Sequence, residues 1–440
     1  MLSYLLHSQF ECLGGLSPYD VWELCIQASC MDIAPKIVYM LIYNLVYQLI
    51  SAYFSHKVFH LCSIVGGFAV MRLAISHSNI THFLVFLAVG YVCMYCANRV
   101  HLKKQIKTEY IAVLLCIVYL LLCEFVYPNQ DDWIQSRGLF MIAAMKIISL
   151  CFDLQNGHYF PSPYVYAGYM LCPANVMFGP WISFTEYNIA RVMSQRKKFT
   201  WVLRTIHILL LSFFFLSMSN CLSIIVIPSV IDNKWISAYR RAFSFRCSHY
   251  FISFLSEATM LCGGYGDSKN QYVITRPFDI ELPTSLVSVV VSWNIPMHRF
   301  LKKYVYLEIL RFGYFKAILG TYLISSLLHG FNLEIAAVLV TIGAYSFVQF
   351  RLQEKLARSF NACLRVRPCR TCTHKYKRSN WLIKLVLLIF ACITIFDLIF
   401  LGVLMDSVGY PDAPSIYEKW GDLDFLSHWV MLGLYIITFV

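Results

Sequence analysis

Long apolar runs recur along this chain, and they leave it few ways to fold. Crossing the roughly 30 Å hydrocarbon core of a bilayer as a helix takes about 20 mostly apolar residues. Runs close to or above this length occupy residues 37–54, 58–75, 81–97, 110–127, 206–230, 333–350 and 381–405. Charged residues make up only 14% of the chain, against about 25% in a typical soluble domain. The chain is therefore an integral membrane protein.

Shorter or interrupted apolar runs lie between the long ones. They occupy residues 139–154, 165–184, 250–261, 286–293, 314–328 and 425–440. Because lipid cannot satisfy backbone polar groups, the spanning runs must be helices, and the alternating pattern of a membrane β-barrel is missing. The sequence predicts an all-α polytopic membrane protein of about ten to twelve helices, some short or re-entrant, with residues 1–440 forming a single membrane-embedded domain.

The basic residues are concentrated in four short segments between apolar runs. The segments 98–107, 191–204, 234–246 and 351–378 hold 22 of the 36 Lys and Arg residues. A net charge of +12 could suit nucleic acid, but this distribution is the positive-inside pattern of membrane proteins. We expect these segments to be cytosolic loops and no nucleic acid to be bound.

The 17 cysteines lie mostly within apolar runs, which predicts small buried side chains rather than a disulfide framework. Cys363, Cys369, Cys372 and His374 are different, because they share one basic loop and could form a Cys3His zinc site. Their spacing is unusual for zinc, and a solvated loop or lipidated cysteines explain them as well. We expect no metal.

A histidine interrupts the apolar sequence near residue 330. The run before it, 314–328, is 15 residues long, or about 22 Å at the helical rise, which is short of a full span. Gly330 and Asn332 then break the helix. An ionisable group inside a bilayer indicates function, so we expect His329 at a turn in the membrane interior. The alternative is an ordinary interfacial histidine at the headgroup level.

A second broken segment lies upstream, in "SLVSVVVSWNIPMHRF" (285–300). Its short apolar run ends at Trp293 and Asn294, and Pro296 forbids a continuous helix. Broken segments free polar groups to face a substrate cavity, although Asn294 could also be only a helix cap. A neutral imidazole can take a proton from a hydroxyl nucleophile, and an amide can donate to an oxyanion. The pair suits acyl transfer.

One further pair of charged residues lies in an apolar run, in "MKIISLCFDL". Lys146 and Asp153 could form an intramembrane ion pair, but we favour interfacial side chains that extend to water.

The two broken segments resemble a known family. "SWNIPMHRFL", followed 35 positions after its asparagine by "SLLHG", is similar to the membrane-bound O-acyltransferase superfamily, whose hallmarks are an asparagine in a Trp-Asn pair and a histidine in an apolar run. Segments 143–157, 161–170, 178–187, 250–266, 276–297, 326–340 and 427–436 resemble, in that order, the branch of the superfamily that lipidates Wnt proteins. The resemblance covers the chain from about residue 130 to its end.

The resemblance implies a multi-pass enzyme of the endoplasmic reticulum membrane, with a helical core around an intramembrane tunnel. Acyl-CoA, preferably palmitoleoyl-CoA, would enter from the cytosol as co-substrate, with no other cofactor. A serine hydroxyl of a Wnt protein would approach from the lumen. Carried over by position, His329 is the catalytic histidine and Asn294 its partner, while Trp293 and the loop 276–283 line the acyl-CoA path. His298, which follows "NIPM", is a departure from the pattern we expect.

Two alternatives stay open at the level of sequence. A related membrane acyltransferase could act on another protein, a peptide or a lipid. In a different class, a polytopic transporter or channel could use His329 as a proton relay or pore residue.

Overall fold

The computed structural model describes residues 18–99, 108–127, 129–155, 159–194, 199–227, 233–266, 272–330, 332–366, 369, 372–405 and 414–439. Helices dominate these residues, and the described ranges contain no β-strand, only an isolated bridge between Ala362 and Tyr376. The all-α prediction is confirmed. The helices are more numerous than expected, because short helices lie between the membrane-length ones.

Ten helices precede residue 233 in the described ranges. They are α1 (Pro18–Val21), α2 (Ala28–Tyr53), α3 (His56–Arg72), α4 (His77–Arg99), α5 (Thr108–Val126), α6 (Gln130–Gln155), α7 (Pro163–Met170), α8 (Phe184–Ser194), α9 (Phe199–Ser217) and α10 (Ser223–Val226). Turns of π-helix, Trp22–Gln27 and Met218–Leu222, join α1 to α2 and α9 to α10.

The remaining helices surround the two broken segments. They are α11 (Lys234–Cys262), α12 (Pro277–Glu281), α13 (Leu286–Trp293), α14 (Ile295–Leu301), α15 (Leu307–Ile309), α16 (Tyr314–Leu328), α17 (Leu333–Ser359), α18 (Trp381–Gly402), α19 (Ile416–Gly421) and α20 (Leu426–Ile437). A π-helical turn, Lys302–Tyr306, follows α14, and 3-10 turns, Leu310–Phe312 and Val403–Met405, follow α15 and α18.

Six helical stretches of the described chain are long and apolar enough to cross a membrane. They are Cys25–Tyr53, His77–Cys96, Glu109–Val126, Thr200–Leu222, Leu333–Ser359 and Trp381–Met405. The protein is therefore a multi-pass membrane protein. The apolar run 165–184 is interrupted, as expected, because only Pro163–Met170 is helical and residues 171–183 form turns and irregular backbone.

Contacts between antiparallel helices define the two ends of the bundle. At one end, the rings of Tyr110 and Phe152 are 6.2 Å apart between centroids, and Arg311 donates to the Tyr110 hydroxyl at 3.0 Å. The rings of Tyr314 and Phe350 also meet, at 5.8 Å, which brings the start of the 351–378 segment to this end. We call it the basic end, because segment 98–107 precedes Tyr110 directly.

The opposite end carries a disulfide. Cys25 is bonded to Cys221, 196 residues away, at the end of the Thr200–Leu222 span that lies farthest from the basic segment 191–204. The expectation of buried free cysteines is wrong for this pair, although the described residues hold 14 free cysteines. Disulfides persist in oxidising compartments, whereas the basic loops follow the positive-inside rule. The disulfide and the basic segment 191–204 lie at opposite ends of the Thr200–Leu222 span, so both indicate the same orientation.

The prediction that segment 234–246 is a cytosolic loop is wrong. These residues form the first half of α11, which packs antiparallel to α9. Near the disulfide end, Ser219 and Ser244 exchange hydrogen bonds, each hydroxyl donating to the other's carbonyl. At the other end, Trp201 donates to the carbonyl of Leu261 at 2.9 Å. Segments 234–246 and 191–204 therefore lie at opposite ends of the α9–α11 pair. The local number of basic residues wrongly indicated that both lie on the same side of the membrane.

Lys146 and Asp153 do not pair, and Lys146 does not extend to water. The buried ammonium of Lys146 donates to the carbonyl of Tyr169 at 2.9 Å and to the amide oxygen of Asn175 at 2.8 Å. Asp153 instead binds Lys303, with an N–O distance of 3.0 Å. A buried charge is tolerated only with such partners, so Lys146 fixes the turning segment after α7 against α6.

We expect opposite sides of the membrane for segments 98–107 and 228–232. A flexible insert carrying an N-glycosylation acceptor should stay unmodified in 98–107, because the positive-inside rule predicts a cytosolic position for this basic segment. It should be glycosylated in 228–232, because the rule then places the disulfide end on the opposite, oxidising side. The measurement is a mobility shift that is reversed by glycosidase. A glycan on the 98–107 insert would show that the orientation is reversed.

Candidate active site

A cavity of about 1230 Å³ runs through the helical bundle, somewhat larger than the roughly 300–1,000 Å³ of typical small-molecule sites. Trp293, Asn294 and His329 all line it. Towards the basic end, its wall includes Glu354, Arg365 and Cys369. The two broken segments, 35 positions apart in the sequence, thus open into one space that reaches the basic loop.

His329 terminates α16 and lies in the turn before α17. Gly330 follows with a φ of +78°, a left-handed conformation that glycine adopts without steric cost. Asn332 then caps α17, its side-chain oxygen accepting from the Ile335 amide at 3.0 Å. Within the described residues, neither ring nitrogen of His329 has a protein hydrogen-bond partner. The imidazole is therefore available to a molecule in the cavity.

The turn around His329 packs against the start of α6 and the end of α5. A Cβ atom on Gly330 would lie 2.5 Å from Glu124 Oε2, so a larger residue there would have to displace this carboxylate. Glu124 lies two residues before the end of the Glu109–Val126 span, at the end opposite Tyr110. The sequence analysis predicted a turn at His329, and the structure has one there, between α16 and α17. His329, however, lies nearer the disulfide end of the bundle than its middle.

The second break, at Asn294, leaves backbone groups that lipid could not satisfy. A neighbouring segment supplies their partners. The Arg276 amide donates to the Ser292 carbonyl at 3.0 Å, and the Ile295 amide donates to the Ile274 carbonyl at 2.8 Å. The Trp293 carbonyl accepts from a side chain, His249, through Nε2 at 2.9 Å. The backbone groups of Ser292, Trp293 and Ile295 at the break are therefore bonded within the protein.

Asn294 is itself the N-cap of α14. Its side-chain oxygen accepts from the Met297 amide at 3.0 Å, as the cap interpretation predicted. Because the oxygen is used in the cap, the polar group that remains for the cavity is the amide nitrogen, which can only donate. The cap and the functional interpretation are thus compatible, and the cap fixes the orientation of the amide.

His249 is a cavity residue that the sequence analysis missed. Its ring stacks on Trp293 with centroids 4.0 Å apart and planes 6° from parallel, and both rings line the cavity. Because its Nε2 donates to a carbonyl, its Nδ1 carries the lone pair. The signal in the sequence was weak, since His249 directly precedes the apolar run 250–261 and lies in neither broken segment.

The loop 276–283 does not line the cavity, contrary to the prediction. Residues 277–281 form the short helix α12, behind the wall. Glu281 binds the cavity residue Arg246 through two hydrogen bonds of 2.7 and 2.9 Å and accepts another from Tyr250 at 2.7 Å. The loop therefore supports the wall from outside. His298 does line the cavity, so more than one histidine faces it.

Comparison of the sequence with known proteins identifies its enzyme class. Residues 140–396 match the model of the MBOAT, membrane-bound O-acyltransferase family, and they include both broken segments. The chain belongs to this family and is an O-acyltransferase.

Its relatives narrow the class further. The chain is 35% identical over 423 residues to the protein-serine O-palmitoleoyltransferase porcupine of Anopheles gambiae, covering 88% of this chain and 85% of that protein. It is 33% identical over 412 residues to the protein of the same name in Homo sapiens, covering 86% and 87%. A more distant relative, lysophospholipid acyltransferase 1 of Arabidopsis thaliana, is 26% identical over 326 residues, covering 62% and 68%.

Substitutions at Asn294 should separate its two roles. Asp is as good an N-cap as Asn but cannot donate from an ionised carboxylate. We expect Asn294→Asp to keep the thermal stability of the parent while acyl transfer falls about 10²- to 10³-fold, the usual effect of losing one oxyanion donor.

The matched control is Ser285→Ala, which removes the N-cap of the adjacent helix α13 outside the cavity lining. It should cost about 1 kcal/mol of stability without slowing transfer per folded enzyme. Near-parental transfer by Asn294→Asp would leave the asparagine with a structural role alone.

Proposed function

We propose that this protein transfers a palmitoleoyl group from palmitoleoyl-CoA to a serine hydroxyl of a Wnt protein in the endoplasmic reticulum membrane, with the whole chain acting as a single acyltransferase domain. The observation that carries the proposal is the shared cavity, which is lined by both His329 and Asn294 and extends to the basic loop. The similarity to protein-serine O-palmitoleoyltransferases over most of the chain supports the choice of substrates.

The two ends of the cavity suit substrates that arrive from opposite sides. Glu354, Arg365 and Cys369 line it near the basic segment 351–378, where the anionic CoA portion would meet cytosolic cations. His329 lies near the disulfide end, where a luminal protein would present its serine. The acyl chain then needs to cross only part of the membrane thickness to reach the hydroxyl.

The reaction proceeds by a single displacement. His329 takes the proton of the serine hydroxyl as the oxygen attacks the thioester carbonyl, and the carbon–sulfur bond breaks to release CoA, whose thiolate takes up a proton. The Asn294 amide donates to the carbonyl oxygen, on which negative charge develops. Because no activated nucleophile of the protein is required, no covalent acyl-enzyme forms.

A lipid acceptor is the second candidate, favoured by the similarity to a lysophospholipid acyltransferase. The test uses purified protein with palmitoleoyl-CoA and either a serine-bearing Wnt peptide or a lysophospholipid. We expect transfer to the peptide and none to its Ser→Ala version. Palmitoyl-CoA should be a poorer donor, because packed tunnel walls that fit a kinked chain penalise a straight one. Transfer to lysophospholipid alone would replace the proposal with the second candidate.

His329→Ala should lose catalysis while keeping the fold. General-base help is typically worth about 10²- to 10⁴-fold in rate, so transfer to the peptide should fall by that factor. Thermal stability in detergent and palmitoleoyl-CoA binding should stay close to parental, because the imidazole has no protein hydrogen bond to lose among the described residues.

His298→Ala serves as the matched control, since it removes another cavity-lining histidine. Its transfer rate should fall much less than that of His329→Ala. If both substitutions slow transfer equally, or if His329→Ala unfolds the protein, His329 is not the general base.

A further inference from the structure

Four side chains of the basic loop meet at one point, at the mouth of the cavity. The ligand atoms of Cys363, Cys369, Cys372 and His374 all lie within 4.8 Å of one another. The Nδ1 atom of His374 is 3.8 Å from the sulfur of Cys369 and 3.4 Å from that of Cys372. This convergence was not evident from the sequence, where the spacing favoured a loop without a metal.

The two sulfur–nitrogen separations at His374 fit a tetrahedral zinc site. Zinc binds Cys sulfur at about 2.3 Å and His nitrogen at about 2.0–2.1 Å, which places a sulfur and a nitrogen of one tetrahedron about 3.5 Å apart and two sulfurs about 3.8 Å apart. The measured sulfur–nitrogen distances, 3.4 and 3.8 Å, bracket the first value. Three soft sulfurs with one imidazole are a ligand set typical of structural zinc.

The backbone holds both ends of the loop in place. Ala362 and Tyr376 form a bridge, and the Cys363 amide donates to the Tyr376 carbonyl at 2.9 Å. Leu364 is buried in the same small core as Ile383 of α18. Cys363 and His374 are therefore fixed relative to the membrane helices and to each other, independently of their own side-chain contacts.

A solvated loop and a set of lipidated cysteines both fit the structure less well than a metal site. Cys363 is only 2% exposed, so it is neither the accessible thiol of a solvated loop nor a lipidation site. The cluster lies at the basic end, opposite the Cys25–Cys221 disulfide, and the cytosol keeps thiols reduced.

We propose that Cys363, Cys369, Cys372 and His374 bind one Zn²⁺ ion in a four-coordinate structural site. On binding, the three thiols lose their protons and His374 coordinates as a neutral imidazole through Nδ1, which gives the site a net charge of −1. All four positions are occupied by protein ligands, so the ion stabilises the loop and takes no part in acyl transfer.

The site would shape the cytosolic entrance of the cavity. Cys369 lines the cavity, as do Arg365 and Val366 between the first two ligands. Arg365 is held by Glu354 of α17, with an N–O distance of 3.0 Å. Fixing Cys363 and Cys369 to one ion fixes this short segment against α17. Any effect of the zinc site on acyl-CoA binding rests on the proposed function, whereas zinc binding itself does not.

The primary experiment measures metal in the purified full-length protein, prepared without chelators and freed of any histidine tag. Elemental analysis should find one zinc per chain. Cys372→Ser and His374→Ala each remove a partly buried ligand and should lose the metal, since even supporting groups around a metal site are worth about 10- to 100-fold in affinity. Cys392→Ser, which removes an exposed free cysteine of α18, should keep it.

Parental protein without zinc, or full zinc retained by Cys372→Ser and His374→Ala, would overturn the proposal. Intact mass showing an acyl chain on Cys369 or Cys372 would overturn it in favour of lipidation. A second experiment measures acyl-transfer kinetics, in which Cys372→Ser should raise the KM for palmitoleoyl-CoA more than it lowers kcat. If the parental protein transfers no acyl group, the proposed function fails while the zinc measurement still stands.

Discussion

An interrupted helix cannot face lipid, because hydrocarbon offers no partner to the backbone groups that the interruption frees. The site of this protein depends on that constraint. The break at Asn294 is bonded to the segment 274–276 and to His249, and the break at His329 is closed by Gly330 and the cap at Asn332. Both breaks are therefore confined to the protein interior, where they border a cavity instead of lipid.

The same bonds give the polar side chains of the cavity defined orientations. The cap at Asn294 uses the amide oxygen and leaves the nitrogen as a donor, and the stacked ring of His249 holds Trp293 beside it. His329, by contrast, has no such bond within the described residues, so its ring nitrogens are available to a molecule in the cavity. Under the proposed function, the amide of Asn294 supplies the donor and His329 the base that acyl transfer to a hydroxyl requires, both from the lining of one cavity.

Cysteine chemistry distinguishes the two ends of the bundle. Cys25 and Cys221 are oxidised at one end, and three free cysteines converge with His374 at the other. The cavity extends from the turn of His329 to Cys369 of this second cluster, so it reaches towards both ends. The proposed transfer from a cytosolic donor to a luminal acceptor needs such a connection.

Some features followed from the sequence because they depend on neighbouring residues. The length of apolar runs determined the all-α membrane class, and Gly330, Asn332 and Pro296 determined where the helices break. Other features depend on residues far apart in the chain. Lys146 finds its partners 23 and 29 positions away, and Asp153 finds Lys303 150 positions away.

The sequence by itself thus determined the class of protein, the two broken segments and the histidine and asparagine within them. Only the tertiary structure decided that the breaks open into one cavity, that α11 begins opposite the segment 191–204, that His249 supports Trp293, and that four ligand atoms converge in the basic loop. The physical reason is that apolar length and turn propensity belong to contiguous residues, whereas the meeting of polar groups is set by how the helices pack.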